Sequence, residues 1–319
     1  MKKYRIFNSI FTFPLMGIFL AFTFSSCSDD EDTVPDIPTP NIVEIADATP
    51  QFSTLVAAVQ TAGLIETLSS PGPFTVFAPT NDAFGTFLTE NNLTADQLLA
   101  SPDLGTTLTY HVIGASVPSS AVSPGSVNTV ADLPFFISEA PNGNLWINGN
   151  TRIVDTDINA SNGIIHVLDN VITPPTLNIA EIAIASSTAE APEFTQLVAA
   201  LVRADLAGVF TGGFEDNFTV FAPTDAAFEE LYTVLGVGGV DEIPLETLTN
   251  VLLYHVVPAR AFSQDLREGA ELPTLLDDAT LTVNLSALQI NESGLVADML
   301  NIHATNGVIH VIDSVLLPE

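Results

Sequence analysis

The histidines are the side chains of this sequence best suited to acid–base or metal chemistry, and there are five of them. Four stand at positions that recur later in the chain, whereas His303 has no counterpart; the four are His111, His166, His255 and His310. A zinc site needs at least three convergent ligands, and no grouping of these residues in the sequence supplies them. We therefore predict no metal site, no catalytic residue and no cofactor.

A run of oxygen-bearing side chains from Asp155 to Ser161 begins like a calcium-binding loop. The run then departs from that pattern, because Ala160 stands where the sharp turn requires glycine and His166 where a bidentate glutamate belongs. The sequence also contains no Gly-x-Ser-x-Gly elbow, no His-Glu-x-x-His pair and no phosphate-binding loop. These features predict a protein that is not an enzyme, with a hydrolase of envelope material as the weaker alternative.

Three separated motifs occur twice at one spacing of 144 residues, from residue 74 to residue 218, which indicates a duplicated unit. The motifs are FTVFAPT from Phe74 and Phe218, YHV from Tyr110 and Tyr254, and NGxxHVxD from Asn162 and Asn306. Two copies of so long a unit indicate tandem globular domains and not a solenoid. We predict one domain at residues 41–174 and a second at 175–319, joined by a short proline-containing link.

The FTVFAPT motif has the composition of a strand that leads directly into a helix. Phe74 and Phe218 begin β-branched and aromatic runs that Pro79 and Pro223 end. Thr80 and Thr224 then stand where a helix N-cap is expected, followed by Phe84 and Phe228 on the apolar face of the helix. Helical periodicity dominates the first half of each unit and strand patterns the second, so we predict an α+β fold.

The paired histidines lie among apolar residues. By the strand period of two, His166 shares a face with Ile164 and Leu168, and His310 shares one with Val308 and Ile312. His111 and His255 end apolar helical stripes. We predict buried, structural roles for all four side chains.

These motifs, in this order, resemble those of the fasciclin domain, and the resemblance covers about residues 41–319. It implies that each domain is a β-sandwich or wedge with helices packed on it. It also implies a role in extracellular adhesion and in matrix or cell-surface binding, without a catalytic site.

The resemblance further implies two binding segments, because some animal members of the family contact integrins through a Tyr-His region and an Asp-Ile pair. Here these are Tyr110 with His111, Tyr254 with His255, and Asp157 with Ile158. The second unit has Asn301 in place of the aspartate, which removes the carboxylate that such contacts use. A purely structural role is the alternative for all of these residues.

The charge of the chain is one-sided, with 38 acidic residues against seven basic ones. Lys2, Lys3 and Arg5 precede the single cysteine, Cys27, so the chain beyond it holds four arginines and no lysine. Such a surface repels phosphate backbones and anionic membrane faces. We predict no nucleic-acid partner.

The N-terminus has the pattern of a bacterial lipoprotein. A basic start and an apolar stretch at residues 6–24 lead to Ser25-Ser26-Cys27, which resembles a lipobox. We predict a signal peptide at residues 1–26, lipidation of Cys27, and an acidic, proline-rich tether at 27–40. A retained transmembrane anchor is the alternative, since the stretch is about 20 residues long.

The sequence as a whole predicts a lipid-anchored protein of the outer membrane that serves binding or adhesion. We expect it to be surface-exposed, with a periplasm-facing orientation as the alternative. Its partner is expected to be an extracellular or envelope protein or glycan. A different hypothesis is sequestration of an apolar small molecule, carotenoid-like or lipid-like, within or between two phenylalanine-rich domains.

Overall fold

The repeated FTVFAPT motif forms a central strand and the start of a helix in each half of the protein, as predicted. The computed structural model describes residues 38–318, so the predicted signal peptide, Cys27 and most of the predicted tether lie outside the described residues. Strand β1 (Phe74–Pro79) is followed by a helix at Asn81–Glu90, and the hydroxyl of Thr80 accepts a hydrogen bond from Ala83 N at 3.1 Å. Thr224 caps the corresponding helix of the second half in the same way.

In the first domain the helices come mainly before the strands. The helices are α1 (Ile42–Ala48), α2 (Ser53–Thr61), α3 (Ile65–Ser69), α4 (Asn81–Glu90), α5 (Ala95–Leu99) and α6 (Leu104–Tyr110). After β1 the strands are β2 (Val112–Ile113), β3 (Gly125–Asn128), β4 (Pro134–Glu139), β5 (Leu145–Ile147), β6 (Thr151–Ala160) and β7 (Gly163–Leu168). They form a seven-stranded sheet in the order β2-β1-β7-β6-β5-β4-β3.

The second domain repeats this order of elements. Its helices are α7 (Ile179–Ser187), α8 (Thr195–Arg203), α9 (Asp225–Leu235) and α10 (Leu245–Tyr254). Its strands are β8 (Phe218–Pro223), β9 (Val256–Val257), β10 (Glu271–Pro273), β11 (Thr280–Asn284), β12 (Gln289–Ile290), β13 (Ser293–Gly294), β14 (Ile302–Ala304) and β15 (Gly307–Ile312). They form two four-stranded sheets, β14-β15-β8-β9 and β10-β11-β12-β13. These helices and sheets confirm the predicted α+β class.

The two domains differ where a long strand of the first domain crosses from one half of its sheet to the other. Strand β6 is continuous from Thr151 to Ala160, with register shifts near Asp155 that mark β-bulges. The corresponding stretch of the second domain is divided into β13, a 3₁₀ turn at Ala297–Met299, and β14. The break separates one sheet into two.

In each domain the first and last strands pair in parallel at the centre of a sheet. Phe77 of β1 lies opposite His166 of β7, and Phe221 of β8 lies opposite His310 of β15. Alternate residues of β1 face two different apolar clusters: Val76 packs with the helices, whereas Phe77 packs with apolar residues of β4, β5 and β7. The motif is therefore the junction of two cores in each domain.

The asparagine of each Asn-Gly turn connects the last strand to the first helix of its domain. The side-chain oxygen of Asn162 accepts from Ile42 N at 3.0 Å, and its amide donates to Leu68 O and Ser70 O. Asn306 binds Ile179 N and Phe210 O in the same manner. Between residues 38 and 318, none of the helices has the length and apolar character needed to cross a bilayer.

Candidate functional site

Each paired histidine has both ring nitrogens bound to backbone groups. The Nδ1 of His111 lies 2.7 Å from Thr107 O, and its Nε2 accepts from Ile172 N at 3.1 Å. His255 makes the same pair of contacts with Val251 O and Leu316 N. Each ring therefore joins the end of a helix to the segment that follows the last strand of its domain.

His166 and His310 each contact the loop that follows the short strand β2 or β9 of their domain. His166 accepts from Asp157 N through Nδ1 and contacts Val117 O through Nε2 at 2.9 Å. His310 makes equivalent contacts with Asn301 N and Ala261 O. Both rings are fully buried. No ring nitrogen of the four is left to act as a base on a substrate.

Burial keeps most of these rings neutral. It lowers the pKa of His111, His255 and His310 to about 4, because a charged imidazolium loses its hydration in the core. Burial lowers the pKa of His303 further, to about 3, and the nearby positive charge of Arg260 acts in the same direction. At neutral pH none of these four side chains carries a charge, and His111, His255 and His310 contribute hydrogen bonds.

The tyrosines before the histidines are also internal. Tyr110 donates from its hydroxyl to Pro134 O at 2.8 Å and accepts from the amide of Asn148. Tyr254 bonds Thr280 O and Asn291 in the same arrangement. Burial raises the pKa of Tyr110 well above its usual value. The Tyr–His pairs thus offer almost no side-chain surface to a partner in this conformation.

Asp157 lies nearer the surface than the Tyr–His pairs. It adopts a positive φ of 62°, and its carboxylate accepts from the backbone N and the hydroxyl of Ser119. These bonds from Ser119 hold the pKa of Asp157 below its usual value. Ile158 is half-buried against the helical core of its domain. A binding role for these two residues stays a prediction.

At the position equivalent to Asp157, Asn301 is a contact between the two domains. Its amide donates to Ser263 Oγ at 2.9 Å within its own domain and to Gly149 O of the first domain at 3.0 Å. Asn150 donates back to Asn301 O at 3.2 Å. A carboxylate could not donate either bond, which gives a physical reason for asparagine in the second copy.

Arg260 is the centre of the contact between the domains. Its guanidinium carbon lies 4.0 Å from the ring centroid of Phe136 in the first domain, a cation–π geometry. The Phe136 ring also packs against Phe262 and His303 of the second domain, with centroids 6.4 and 5.8 Å away. We call the contacts between the two domains, centred on Phe136, Gly149, Arg260, Phe262 and Asn301, the domain interface.

Polar contacts surround this aromatic centre. Ser138 donates to the carboxylate of Asp265 at 2.8 Å, and Gln264 donates to Gly149 O at 2.8 Å. Arg267 donates to Glu139 O at 2.7 Å. Two of the four arginines beyond residue 27 are therefore used to hold the domains together.

Sequence reasoning missed the residues of the domain interface, because they lie where the two copies differ. Asn148 and Asn291 occupy equivalent positions, because each donates to the tyrosine hydroxyl of its own domain. Each also accepts from a backbone N, of Phe136 and of Thr282 respectively, so Thr282 stands at the position of Phe136. Glu292, which follows Asn291, stands at the position of Gly149. Arg260 likewise has Ser116 as its counterpart. The signal in the sequence was this loss of repeat symmetry, together with the use of rare arginines.

Enclosed space within the domains is small. An apolar cavity between helices and sheet holds about 30 Å³ in the first domain, and its equivalent in the second holds about 20 Å³. Each volume corresponds to about one water molecule, which occupies ~30 Å³ in the liquid. Neither cavity admits a carotenoid or lipid chain in this conformation.

The larger spaces are open and polar. A groove of about 990 Å³ lies beside Thr282 and Glu292 of the second domain and includes Asp277 and Asp278. A smaller one, of about 480 Å³, lies at the Asn-Gly turn of the first domain. Within residues 38–318 no three histidine, cysteine or acidic side chains converge in a way that could hold a metal ion.

Comparison with known proteins assigns this domain pair to a family. The family model described as the fasciclin domain matches residues 50–174 and 192–318. A protein of Synechocystis sp. is 44% identical over 139 residues, covering 42% of this chain and 73% of that protein. The transforming growth factor-beta-induced protein ig-h3 of Sus scrofa is 29% identical over 294 residues. Human periostin is 28% identical over 269 residues.

The relatives differ from this chain in length. The alignment with pig ig-h3 covers 89% of this chain and 40% of that protein, and the alignment with periostin covers 80% and 30%. A solved FAS1 domain pair from the insect cell adhesion molecule fasciclin I matches with a TM-score of 0.40 and 16% identity, over 84% of this chain and 97% of that one. The fold defines a tandem α+β domain pair. The chain belongs to the fasciclin-domain family and carries two such domains.

Proposed function

We propose that this protein is a non-catalytic binding protein that mediates adhesion at a cell envelope. The observation that carries the proposal is the domain interface, in which Arg260, Phe136 and Asn301 connect two fasciclin domains directly. Such contacts present two binding surfaces in one orientation, so that a repetitive ligand can engage both domains at once. Fasciclin domains, which this chain shares with ig-h3 and periostin, occur in adhesion proteins and support the same role.

The internal chemistry of the domains agrees with a binding role. The paired histidines of the described residues are bonded to backbone atoms, and four of the five histidines have a lowered pKa that keeps them neutral. The hydroxyl of Ser119 donates to Asp157 and has no histidine as its base. Hydrolysis of envelope material would need a nucleophile paired with a base, and these contacts do not provide one.

The proposed location is the outer membrane, through a lipid on Cys27. The lipobox-like sequence supports the anchor, and the acidic, proline-rich stretch behind it supports an extended tether. Surface exposure is the proposed orientation, since an adhesion protein must reach its partner. The partner is an extracellular or envelope protein or glycan.

Sequestration of an apolar molecule is the alternative function. It requires one of the two apolar cavities, of about 20 and 30 Å³, to enlarge many-fold. Gentle purification followed by solvent extraction tests it. A bound pigment or lipid in the extract would support the alternative, and a clean extract would exclude it under those conditions.

Protease treatment of intact cells tests the proposed location. Cells making the full chain are treated with a protease that cannot cross the outer membrane, and the chain is followed by immunoblot. We expect digestion in intact cells, and loss of membrane attachment in the Cys27→Ser variant. Protection until the outer membrane is broken would exclude cell–cell adhesion, and unchanged attachment of the variant would exclude the lipid anchor.

A further inference from the structure

The guanidinium of Arg260 fills a pocket at the hairpin turn between β14 and β15. Nη1 donates to the carbonyl oxygens of Ala304 and Gly307 at 2.9 and 2.8 Å, and Nη2 donates to Thr305 O at 2.9 Å. Nε donates to Asn217 Oδ1 at 3.2 Å on the rim. No carboxylate of the described residues pairs with Arg260. This pocket recognises the planar fork of donors and not the charge alone.

The first domain has a serine where the second has this arginine. The hydroxyl of Thr75 donates to Ala115 O at 2.7 Å, and Thr219 donates to Ala259 O at 2.6 Å, so these carbonyls are equivalent. The residues that follow them, Ser116 and Arg260, therefore occupy matching positions. Ser116 is exposed and too short to reach the turn.

The pocket itself is present in the first domain. The turn between β6 and β7 pairs Ala160 with Gly163, as the turn of the second domain pairs Ala304 with Gly307. Backbone bonds on either side also match, since Ser161 N donates to Pro40 O just as Thr305 N donates to Leu177 O. The two hairpin turns therefore present their carbonyl groups in the same arrangement.

In the first domain this pocket is open to solvent. It is the groove of about 480 Å³, lined by Ser116, by residues 71–73 and by residues 159–164. In residues 38–318, no side chain donates to the carbonyl oxygens of Ala160, Ser161 or Gly163. In the second domain Asn217 accepts the bond from Arg260 Nε, and Pro73 is its equivalent in the first domain. Proline has no side-chain acceptor, so an arginine in the open pocket would lack this one of the four bonds. The open pocket offers the other three acceptors.

We propose that this open pocket, which we call the arginine pocket, binds an arginine side chain of a partner protein. The inference deepens the proposed function and rests on it for the nature of the occupant, a partner protein. The acidic surface draws cations toward the pocket, and the three carbonyl acceptors select a guanidinium over an ammonium group.

The occupant is not a second copy of this chain docked through its described residues. Those residues contain no lysine and four arginines. Arg152 pairs with Asp169, and Arg203 donates to Val240 O. Arg260 and Arg267 are both used in the domain interface. Each arginine of residues 38–318 therefore already has a partner within its own chain, and the proposal assigns the occupant to a different protein.

A pair of short peptides tests the arginine pocket directly. The full chain is titrated by calorimetry with acetyl-Gly-Arg-Gly-amide and with acetyl-Gly-Lys-Gly-amide, which carry the same charge. We expect the arginine peptide to bind about tenfold more tightly, as the loss of one or two hydrogen bonds would produce. Equal affinity for the two peptides, or no binding of either, would overturn the proposal.

The second test is a variant in which the chain's own side chain fills the arginine pocket. Ser116→Arg reproduces the arrangement of Arg260, so the pocket should fill and binding of the arginine peptide should fall by at least tenfold. Thr106→Arg adds the same charge on an exposed position of α6 and should leave binding unchanged. If Ser116→Arg does not fold, Ser116→Leu blocks the same space without donors. Unchanged binding by the folded variant would overturn the proposal.

The peptide experiment and the adhesion experiment can fail separately. A chain that binds the arginine peptide yet does not support adhesion retains the arginine pocket and loses the proposed function. A chain that supports adhesion but does not discriminate between the peptides retains the function and loses the arginine pocket.

Discussion

Asn301 donates a hydrogen bond to Gly149 O at 3.0 Å across the boundary between the two domains, whereas its counterpart in the repeat, Asp157, bonds only within its own domain. One change of side chain, from a carboxylate to an amide, thus accompanies the change from a surface position to a buried contact. The Nδ2 atom of Asn301 that makes this bond also donates to Ser263 Oγ. The amide is what makes this position compatible with the domain interface.

Asn301→Asp should therefore weaken the domain interface. The carboxylate cannot donate and would face the carbonyl oxygen of Gly149, so we expect a loss of about 1–3 kcal/mol in the free energy of unfolding. The change is measured by urea denaturation. The matched control is Asp157→Asn. The new amide can bond Ser119 as Asn301 bonds Ser263, so this substitution should change stability little. Equal effects of the two substitutions would contradict this account.

Gly149 should not tolerate a side chain. It has a positive φ of 72°, and a Cβ atom there would lie 2.6 Å from Phe262 Cδ1 and 2.7 Å from Asn301 Cγ. Gly149→Ala should therefore separate the domains. The resulting loss of stability should exceed the ~1–2 kcal/mol that a left-handed conformation costs an L residue. Gly143→Ala is the control, since Gly143 has a φ of 81° and nothing within 4 Å of its added Cβ.

The single tryptophan reports on this separation. Trp146 pairs with Ser138 in the sheet and lies on the face that contacts Asp265 of the second domain. Its Nε1 is buried. We expect Gly149→Ala to shift Trp146 emission to longer wavelength as the ring becomes hydrated, and Gly143→Ala to leave it unchanged. Identical emission from both variants would show that the added Cβ does not open the domain interface.

Removal of Arg260 should open the domain interface in a way that a small guanidinium can repair. Arg260→Ala loses the stacking on Phe136, worth about 1–2 kcal/mol for a partly desolvated pair, and empties the pocket at Thr305. We expect the Trp146 emission of this variant to shift to longer wavelength. Methylguanidinium at low millimolar concentration should return the emission to its wild-type wavelength, whereas methylammonium should not. Restoration by both ions would indicate a nonspecific charge effect.

Stability should fall as the pH drops below neutrality. The pKa of His111, His255 and His310 is lowered by burial from 6.5 to about 4, so the unfolded chain binds more protons than the folded one between these values. Stability is complete above pH 6.5 and decreases below it, by up to about 1.4 kcal/mol per histidine per pH unit. Urea denaturation at pH 7.0, 6.0 and 5.5 measures this before most carboxylates titrate.

A His111→Gln variant provides the comparison for the pH dependence. Its side chain does not titrate, so its stability should depend less steeply on pH in the same window. Asp265 acts in the opposite direction, because burial raises the pKa of its carboxyl and protonation then favours the folded state. A denaturation midpoint of the wild-type protein that is constant from pH 7.0 to 5.5 would contradict the buried neutral histidines.

Features with a local cause were predictable from the sequence. The Thr80 cap, the strand at FTVFAP and the strand that follows each Asn-Gly turn depend on neighbouring residues, and all three occur as predicted. The repeat made each of these features visible twice. The parallel pairing of β1 with β7 was not predicted, because it joins segments about 90 residues apart with no local signature.

The domain interface depended on geometry that the sequence does not carry. Phe136, Gly149 and Arg260 lie in different loops and strands, and their proximity follows only from how the domains dock. A polar side chain next to an apolar stripe, as in the Tyr–His pairs, has the same local pattern whether it is exposed or bonded inside. In this structure Tyr110 and His111 are inside.

Adhesion of whole cells is a direct measurement of the proposed adhesion function. Cells making the full chain, cells lacking it and cells making the Gly149→Ala variant are compared for attachment to a matrix-coated surface and to one another, at equal surface amounts of protein. The full chain should raise attachment, and cells lacking it should not show the increase. The Gly149→Ala variant should reduce the increase, because its two domains no longer bind the same surface together. Attachment that is the same with and without the protein would contradict an adhesion function.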